Sequence, residues 1–492
     1  MGREGRRRPR SRLTIAALRA TALGATLIAC AGAARWLWPR LEPPRSLVLP
    51  PPWPWQQALP APSRAPALQQ LSEGWQARPL GNPALGRYPA CWQSLPRTPW
   101  DLTLFDGRLY VGLGNTSNEG PSANAGPVPV LAYSLNRQRW QQEATLPEEE
   151  ISRFVRHGQQ LWIPGADARG SWRWGNLYRR SSGEGWWWQE RRLPRFIHAY
   201  DLAWHQGAMV VAGTVPDAVP TGPEPERHGS ALAVSRDGGR HWSVQRLAGL
   251  RATTLLPVDG ELFALEVLPG PRLRHWLQAS GRWPRFVALW ELQPAGPWQA
   301  RPDITPAALL PGVAGAGERF GWLAPATPSG PAVAWIASLG PWRGEPPRRL
   351  AFIGQRGRPG DLQVLPIPLP SGAQAMDLVP DQAGWLLLSS ERLAPQRWRS
   401  QITAVQASGS RLSQRPLVRF EAPLPAWSLA GAGTTWWVGF GPPPFQPETR
   451  PHPCSAADGL SGSVVALSPK PAGHHRGRAG PVVSHRALPT SH

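Results

Sequence analysis

The sequence predicts an all-β protein, a seven-bladed β-propeller closed by a strand from its N-terminal side. Three observations carry this. Pro at 60 and Gly at 51 make up more than a fifth of the 492 residues, a density that breaks helices and favours short strands joined by turns. No stretch shows the apolar period of a long amphipathic helix. An apolar two-strand pattern recurs instead at intervals of about fifty residues, the length of one four-stranded blade.

In chain order, residues 1–30 read as an export signal. Residues 1–19 hold seven arginines against Glu4 alone, and an uncharged run follows over residues 20–34. At 1.5 Å per residue that run reaches about 22 Å, short of the roughly 30 Å a spanning helix must cross. A cleaved signal is favoured. Leu27-Ile28-Ala29-Cys30 resembles the bacterial lipoprotein box, which implies a lipid on the Cys30 thiol; the alternative is an uncleaved anchor with Arg19 reaching for the interface. Residues 31–73 follow as a Pro-rich linker, where Pro50, Pro51, Pro52, Pro54, Pro60 and Pro62 impose an extended tether.

The repeats occupy residues 74–469. In each, an alternating strand ends in a Gly turn and an apolar strand follows: Trp100-Asp101-Leu102 to Gly107 then Leu109-Tyr110-Val111, and Tyr200-Asp201-Leu202 to Gly207 then Met209-Val210-Val211. Comparable pairs end at Gly158, Gly260, Gly384 and Gly433, and the unit at residues 305–322 is degenerate. A third apolar strand comes next, as in Val130-Leu131-Ala132-Tyr133-Ser134, and a Trp-led outer strand begins near Trp140, Trp188, Trp242 and Trp298. The last unit lacks this fourth strand after Ser468. Residues 75–80, lying before the first unit, have its character and close the ring, which removes exposed sheet edges. Residues 470–492 are a basic tail without apolar pattern.

The formal charge of +21 is nearly all arginine, Lys470 being the single lysine. That excludes a Walker A loop, a Schiff-base enzyme and a Ser-x-x-Lys hydrolase. The n-region and the tail carry about half the excess, and no basic block is interleaved with stacking aromatics, so no nucleic-acid partner is expected.

Ser235-Arg236-Asp237-Gly238-Gly239-Arg240-His241-Trp242 matches Ser-x-Asp-x-Gly-x-Thr-Trp with His241 in the Thr place. It resembles the Asp-box (BNR) propellers, which include sialidases, sortilin-like receptors and the photosystem II assembly propeller of oxygenic phototrophs. Ser181-x-Gly183-x-Gly185-x-x-Trp188 is similar to a decayed second copy. The motif is structural: Ser235, Asp237 and Gly239 shape a turn and Trp242 packs beside it.

Long connections between second and third strands share one face, where such folds place binding groups. Asn115, Asn118 and Asn124 lie in the first, and Asp167, Arg169, Trp172 and Trp174 in the second; with His198 they make a candidate ligand-binding rim, unless they only cap and pack their own loops. Asp101, Asp201 and Asp377 fall at equivalent places on innermost strands, with Ser152, Thr254 and Ser428 in other units. These are channel-lining positions, read as solvating a narrow channel rather than binding a cation. A metal site at His198, Asp201 and His205 is rejected because spacing by three on an alternating strand puts the first two on opposite faces. No metal or other cofactor is expected.

Sialidase resemblance implies three arginines on a carboxylate, an early Asp acid/base and a late-blade Tyr nucleophile paired with Glu. Tyr88, Tyr110, Tyr133, Tyr178 and Tyr200 are the only tyrosines, so the second half has none, and the Arg-Ile-Pro motif is missing. No catalytic residue is assigned. Cys91 follows the closing strand and Cys454 lies in the long loop of the blade it completes, so a disulfide between them is expected in an oxidising compartment. The reading is an exported, membrane-associated, non-catalytic binding or assembly module for an extracytoplasmic protein or glycan; the alternative is a sialidase-like glycoside hydrolase or lyase.

Overall fold

The computed structural model describes residues 46–50, 65–90, 93–116, 126–165, 167–168, 176–194, 196–216, 228–247, 251–268, 285–293, 297–341, 343–357, 362–444 and 455–471. Residues 1–47 form one unit, of which Ser46 and Leu47 are described, both extended. The blades all lie in the second unit, residues 48–492. The signal segment with Cys30, both remaining cysteines Cys91 and Cys454, and residues 472–492 of the tail lie outside the described residues.

Seven antiparallel sheets follow one another along the chain. Blade 1 comprises Asp101–Phe105, Arg108–Gly112, Val128–Ser134 and Arg139–Leu146; blade 2 comprises Val155–His157, Gln160–Pro164, Leu177–Ser181 and Trp188–Glu190. Blade 3 runs through His198–His205, Ala208–Pro216, His228–Ser235 and Ser243–Arg246, and blade 4 through Arg251–Val258, Glu261–Leu268, Arg285–Leu292 and Trp298–Ala300. Blade 6 has Ala373–Asp381, Gly384–Ala394, Arg397–Ser408 and Arg411–Ala422. Blade 7 takes Ala426–Ala432, Thr435–Phe440 and Val464–Pro469 from the chain's end.

Its fourth strand is Trp75–Gly81, antiparallel to the third with Trp75 opposite Pro469 and Gly81 opposite Val464. The ring is therefore closed as the sequence predicts. Trp75 stacks on Trp436 at 4.6 Å. Beyond this strand a clamp joins the two ends of the ring: Asn82 donates to Ser461 O at 2.7 Å, Ser461 Oγ to Ser94 O at 2.7 Å, and the buried Arg97 guanidinium to carbonyls on both sides. Residues 65–72 also hold the seam. Gln69 and Glu421 exchange backbone bonds of 2.9 and 2.7 Å, and Ser72 N donates to Arg419 O, so this stretch covers part of the outer edge of blade 6.

The degenerate unit is blade 5. Two short helices, α1 (Pro306–Leu309) capped by Thr305 and α2 (Ala316–Arg319), precede an inner strand split into Phe320–Leu323 and Thr327–Ser329. Pro325 lies in the gap, where it cannot donate to the ladder. Both pieces pair with Ala332–Leu339, and Arg348–Arg356 and Leu362–Ile367 complete the sheet.

Burial explains why central strands are apolar on both sides. Every residue of Val128–Ser134 is buried, because a blade packs a neighbour on each face. The core is accordingly a series of inter-blade layers: Leu256, Phe263 and Leu265 of blade 4 cluster with Phe320, Val333 and Phe352 of blade 5.

The turn at Ser235–Trp242 has the geometry its sequence implies. Asp237 Oδ1 accepts from Ser235 Oγ (2.8 Å), Arg240 N (3.0 Å) and His241 N (2.9 Å), and Gly239 N donates to Ser235 Oγ. His241 Nδ1 lies 2.6 Å from Asp237 Oδ2, so the imidazole in the Thr place serves the same carboxylate. At Ser181–Trp188 the missing carboxylate comes from blade 1: Ser182 Oγ and Gly183 N donate to Asp106 at 2.9 and 3.3 Å.

Candidate functional site: the central channel and its long-loop mouth

The inner strands enclose a channel of about 1440 Å³. Five of them carry the same irregularity, a register shift between Ala199 and Asp201, Ala252 and Thr254, Phe320 and Trp322, Ala375 and Asp377, and Ala426 and Ser428. Each is a β-bulge, with one residue unpaired and the strand re-aimed at that point. The bulge corrects the face argument used against His198 and Asp201. Their partners across the ladder are Thr214 and Ala212, two apart, so the two residues share a face. What argues against a metal there is the engagement of Asp201 itself, described next; among the described residues no group of three or more His, Cys, Asp or Glu side chains could hold an ion.

In blades 3, 4 and 6 the residue after the bulge stitches one blade to the next, as does the matching Asp101 of blade 1. Asp201 Oδ1 accepts from its own strand at Leu202 N and Oδ2 from Leu255 N of blade 4, both at 2.8 Å. Asp377 accepts from Leu378 N and from Leu429 N of blade 7, and Asp101 from Phe154 N of blade 2 at 2.6 Å. Thr254 makes the link in reverse, donating to Leu323 O at 3.0 Å. The equivalent residue of blade 2 is Arg153, not Ser152. Its hairpin pairs His157 with Gln160, so Gly158 is the first turn residue, whereas Gly107 is the second in the turn between Phe105 and Arg108; counting from the glycine slips by one. Arg153 forms an ion pair with Asp201 and lowers the proton affinity of Asp101 against the larger, opposite effect of burial.

At the mouth facing the long loops, blades 1, 3, 5 and 7 each carry an aromatic residue: Tyr200 and Trp427 at the bulge, Trp100 at the matching place of blade 1, and Trp322 just after the bulge of blade 5. Trp100 and Trp427 meet edge to face at 5.3 Å, and Tyr200 and Trp322 at 5.9 Å. Each pair carries an arginine: Arg349 lies 5.0 Å over Trp427 and Arg251 5.6 Å over Tyr200, within cation–π range. Arg349 also donates to Met376 O at 3.0 Å, while its Nε is buried without a hydrogen-bond partner.

The segment 148–151 borders the channel through Glu150. It passes so close to Gly114 and Gly126 that a Cβ at either would lie 2.4 Å from a backbone oxygen. Glu148 is buried and accepts from Asn176 and Tyr178 side chains and from Asp167 N at 2.8, 2.7 and 2.8 Å. Glu150 accepts from Thr116 N at 3.2 Å. The two loop stems thus hang on one carboxylate each, the buried Glu148 and the half-buried Glu150.

Of the rim residues singled out in the sequence, Asn115, Asp167 and His198 are described and Asn118, Asn124, Arg169, Trp172 and Trp174 lie outside the described residues. Asp167 and His198 line the channel, and His198 stacks on Tyr200 at 5.3 Å. Asn115 is buried, its backbone bonded to Glu149 O. Sequence reasoning missed Arg153, Arg251, Arg349, Glu148 and Glu150, and did not separate Trp100, Trp322 and Trp427 from core tryptophans. A signal existed in Trp100-Asp101, Tyr200-Asp201 and Trp427-Ser428, where an aromatic precedes the small polar residue.

Burial pushes Glu148, Glu150 and Asp377 each up to about 7, Asp377 also through the negative charge of Asp101. Their folded values exceed those of the unfolded chain, so between the ordinary carboxylate range and about 7 the folded state holds protons the unfolded state releases. Stability therefore falls as pH rises through that window. The melting temperature is expected to be higher at pH 5 than at pH 8, and Glu148→Gln to flatten the difference. A melting temperature that rises from pH 5 to pH 8 would contradict this assignment.

No protein-family model matches the chain, and no curated protein does. Among solved structures it is similar to the β-propeller domain of the Trilobed protease from Pyrococcus furiosus, at 11% identity over 60% of this chain and 75% of that one, TM-score 0.32. It is also similar to an α-L-arabinofuranosidase from Fusarium graminearum (11%, covering 75% and 92%, TM-score 0.34) and to an α-L-arabinanase from Penicillium chrysogenum (13%, covering 76% and 93%, TM-score 0.33). At such identities nothing about activity passes to this chain; the seven blades are read from its own strand pairing.

Proposed function

We propose that this chain is an exported, membrane-tethered propeller that binds or assembles an extracytoplasmic protein or glycan without catalysis, using the long-loop mouth of its channel. One observation carries the reading. The carboxylates of Asp101, Asp201 and Asp377 each accept a backbone amide from the next blade, and Asp201 an arginine as well. A carboxylate spent on holding blades together is poorly placed to exchange protons with a substrate, whereas the arginines and aromatics at the mouth remain available for recognition. The Asp237 turn supports an Asp-box propeller in which the motif is scaffold. Export and tethering rest on the arginine run, the short apolar stretch and Cys30. Among the described residues no helix is long and apolar enough to cross a membrane.

Glu150 favours the second reading, a glycan-active hydrolase or lyase. It lines the channel and is raised into the range of a general acid. One experiment separates the two: the protein isolated from its native membrane is crosslinked to its neighbours and assayed in parallel on sialyl, arabinosyl and uronyl substrates. The binding reading expects a specific crosslinked partner, release of the protein into the soluble fraction by Cys30→Ser, and no turnover. Turnover abolished by Glu150→Gln would replace it with the enzymatic one.

A further inference from the structure

Arg251 is not equivalent to the other buried cations of the ring. Arg97, Arg180 and Arg319 each spend their guanidinium on carbonyls or carboxylates of the fold. Arg251 makes neither a hydrogen bond nor an ion pair among the described residues; it lies over the face of Tyr200, which offers no acceptor in its plane. Arg349 donates to Met376 O and keeps a buried Nε–H unpaired, as Arg153 and Arg180 also do, so its hydrogen bonding does not set it apart. A guanidinium held against an aromatic wall with its donors open is a poor structural element, because a half-buried cation without an acceptor forfeits part of its hydration for no bond in return. The same arrangement suits a ligand that supplies the acceptor.

The walls define the remainder of that ligand. Tyr200 and Trp322 beside Arg251, and Trp100 and Trp427 beside Arg349, present two flat apolar faces, each next to a cation. Trp322 is half-buried and its indole N–H makes no hydrogen bond among the described residues, so this ring is not locked into the wall as Trp100 is by its bond to Gly114 O. Asp377 acts on Arg349 and Asp167 lies near Tyr200, but among the described residues no acidic group forms an ion pair with Arg251. Asp101, Asp201 and Asp377 are engaged by backbone amides, and Glu148 and Glu150 by the loop stems.

Resting on the binding reading above, we propose that this mouth recognises the free C-terminal carboxylate of a polypeptide ending in an aromatic or aliphatic residue. The carboxylate pairs with Arg251, whose planar fork matches two oxygens, and the terminal side chain packs on Trp322 and Tyr200. Arg349 and Trp427 form the second such surface, toward which the preceding residues run. An acidic sugar would satisfy Arg251 as well, but belongs to the competing outcome of the test.

The test uses the full chain and a mixture of octapeptides with randomised interiors ending in Phe or Leu, prepared as free acids and as C-terminal amides, with glucuronate and inorganic phosphate as further probes. Binding is followed by calorimetry. The expected result is that the acids bind at least tenfold more tightly than the amides, that Arg251→Met removes this preference, and that Trp322→Ala weakens the acids severalfold, both variants keeping the wild-type melting temperature. Arg251→Lys, which retains charge without the fork, is expected to recover only part of the preference. Equal affinity for acids and amides, no saturation by either, or tighter binding of glucuronate or phosphate than of the acids would each overturn the proposal. Partner capture on the native membrane separates its failure from that of the binding reading: capture undiminished in Arg251→Met removes this site and leaves the binding module standing, while no capture by the wild type removes the module itself.

Discussion

Deletion of residues 74–82 is expected to leave a protein that no longer melts as one cooperative unit above room temperature. The strand Trp75–Gly81 is the fourth of blade 7, and its loss uncovers the third strand along Val464–Pro469. Trp75 would no longer cover Trp436, and the buried Leu80 would be gone. Two large apolar side chains at about 2 kcal/mol each, with several ladder bonds at about 1 kcal/mol, make a loss on the order of 10 kcal/mol, comparable with the whole stability of an ordinary domain. The deletion also removes Asn82 and with it two bonds to the loop at residues 459–461. Differential scanning calorimetry checks this. A synthetic peptide of residues 74–82 added in trans should restore part of the transition, since the groove it fills lies open on the last blade; an unchanged melting temperature in the deletion would show that the ring does not depend on this strand.

The second large effect is expected from Arg97→Ala. Arg97 is fully buried and its guanidinium donates to Ser461 O at 3.0 Å, Ala90 O at 2.8 Å, Tyr88 O and Asp458 O. The four carbonyls come from stretches more than 360 residues apart in the chain, so one side chain serves as acceptor-filling bolt for the seam. Burial holds its proton affinity down to about 10, with Asp458 opposing, and the charge persists at neutral pH. Truncation leaves four acceptors dry, which costs about 3–5 kcal/mol. Arg97→Lys is expected to recover little, because an ammonium cannot reach four carbonyls in a plane. Denaturant unfolding followed by tryptophan fluorescence measures it, and a loss below about 1 kcal/mol would mean that water replaces the guanidinium. Ala90 and Ser455 flank the proposed Cys91 to Cys454 bridge, and Arg97 ties down both neighbourhoods; the bridge itself is decided by mass spectrometry of non-reduced peptides.

The blades were legible in the sequence because a propeller writes its repeat along the chain. Each blade needs a tight hairpin, marked by glycine, and a middle strand apolar on both faces, marked by runs such as Val130 to Tyr133. The closing strand was legible by subtraction, as one unit lacked its fourth strand and one strand lacked a unit. Blade 5 was the least legible, since Pro325 and two short helices interrupt the local pattern while the long pairing of Ala332–Leu339 with its neighbours preserves the sheet.

The channel was read less well, and the reason is geometric. A β-bulge adds one residue to one strand, and no side-chain pattern announces it, so the parity of every position before it is inverted relative to a regular strand. That is why His198 and Asp201 looked opposed, and a similar one-residue ambiguity at Gly158 placed Ser152 where Arg153 belongs.

Composition and periodicity by themselves determined the fold class, the number of blades and the seam, because these depend on which residues are apolar and how often turns recur. Only the tertiary structure decided which polar residues are spent on the scaffold and which are left open. Asp101, Asp201 and Asp377 read in the sequence as residues solvating a channel and serve as stitches, whereas Arg251 is one arginine among many until the fold sets it against Tyr200 without an acceptor among the described residues. Whether a polar group is satisfied depends on partners from other blades, tens of residues away, and a pattern along one strand holds no record of them.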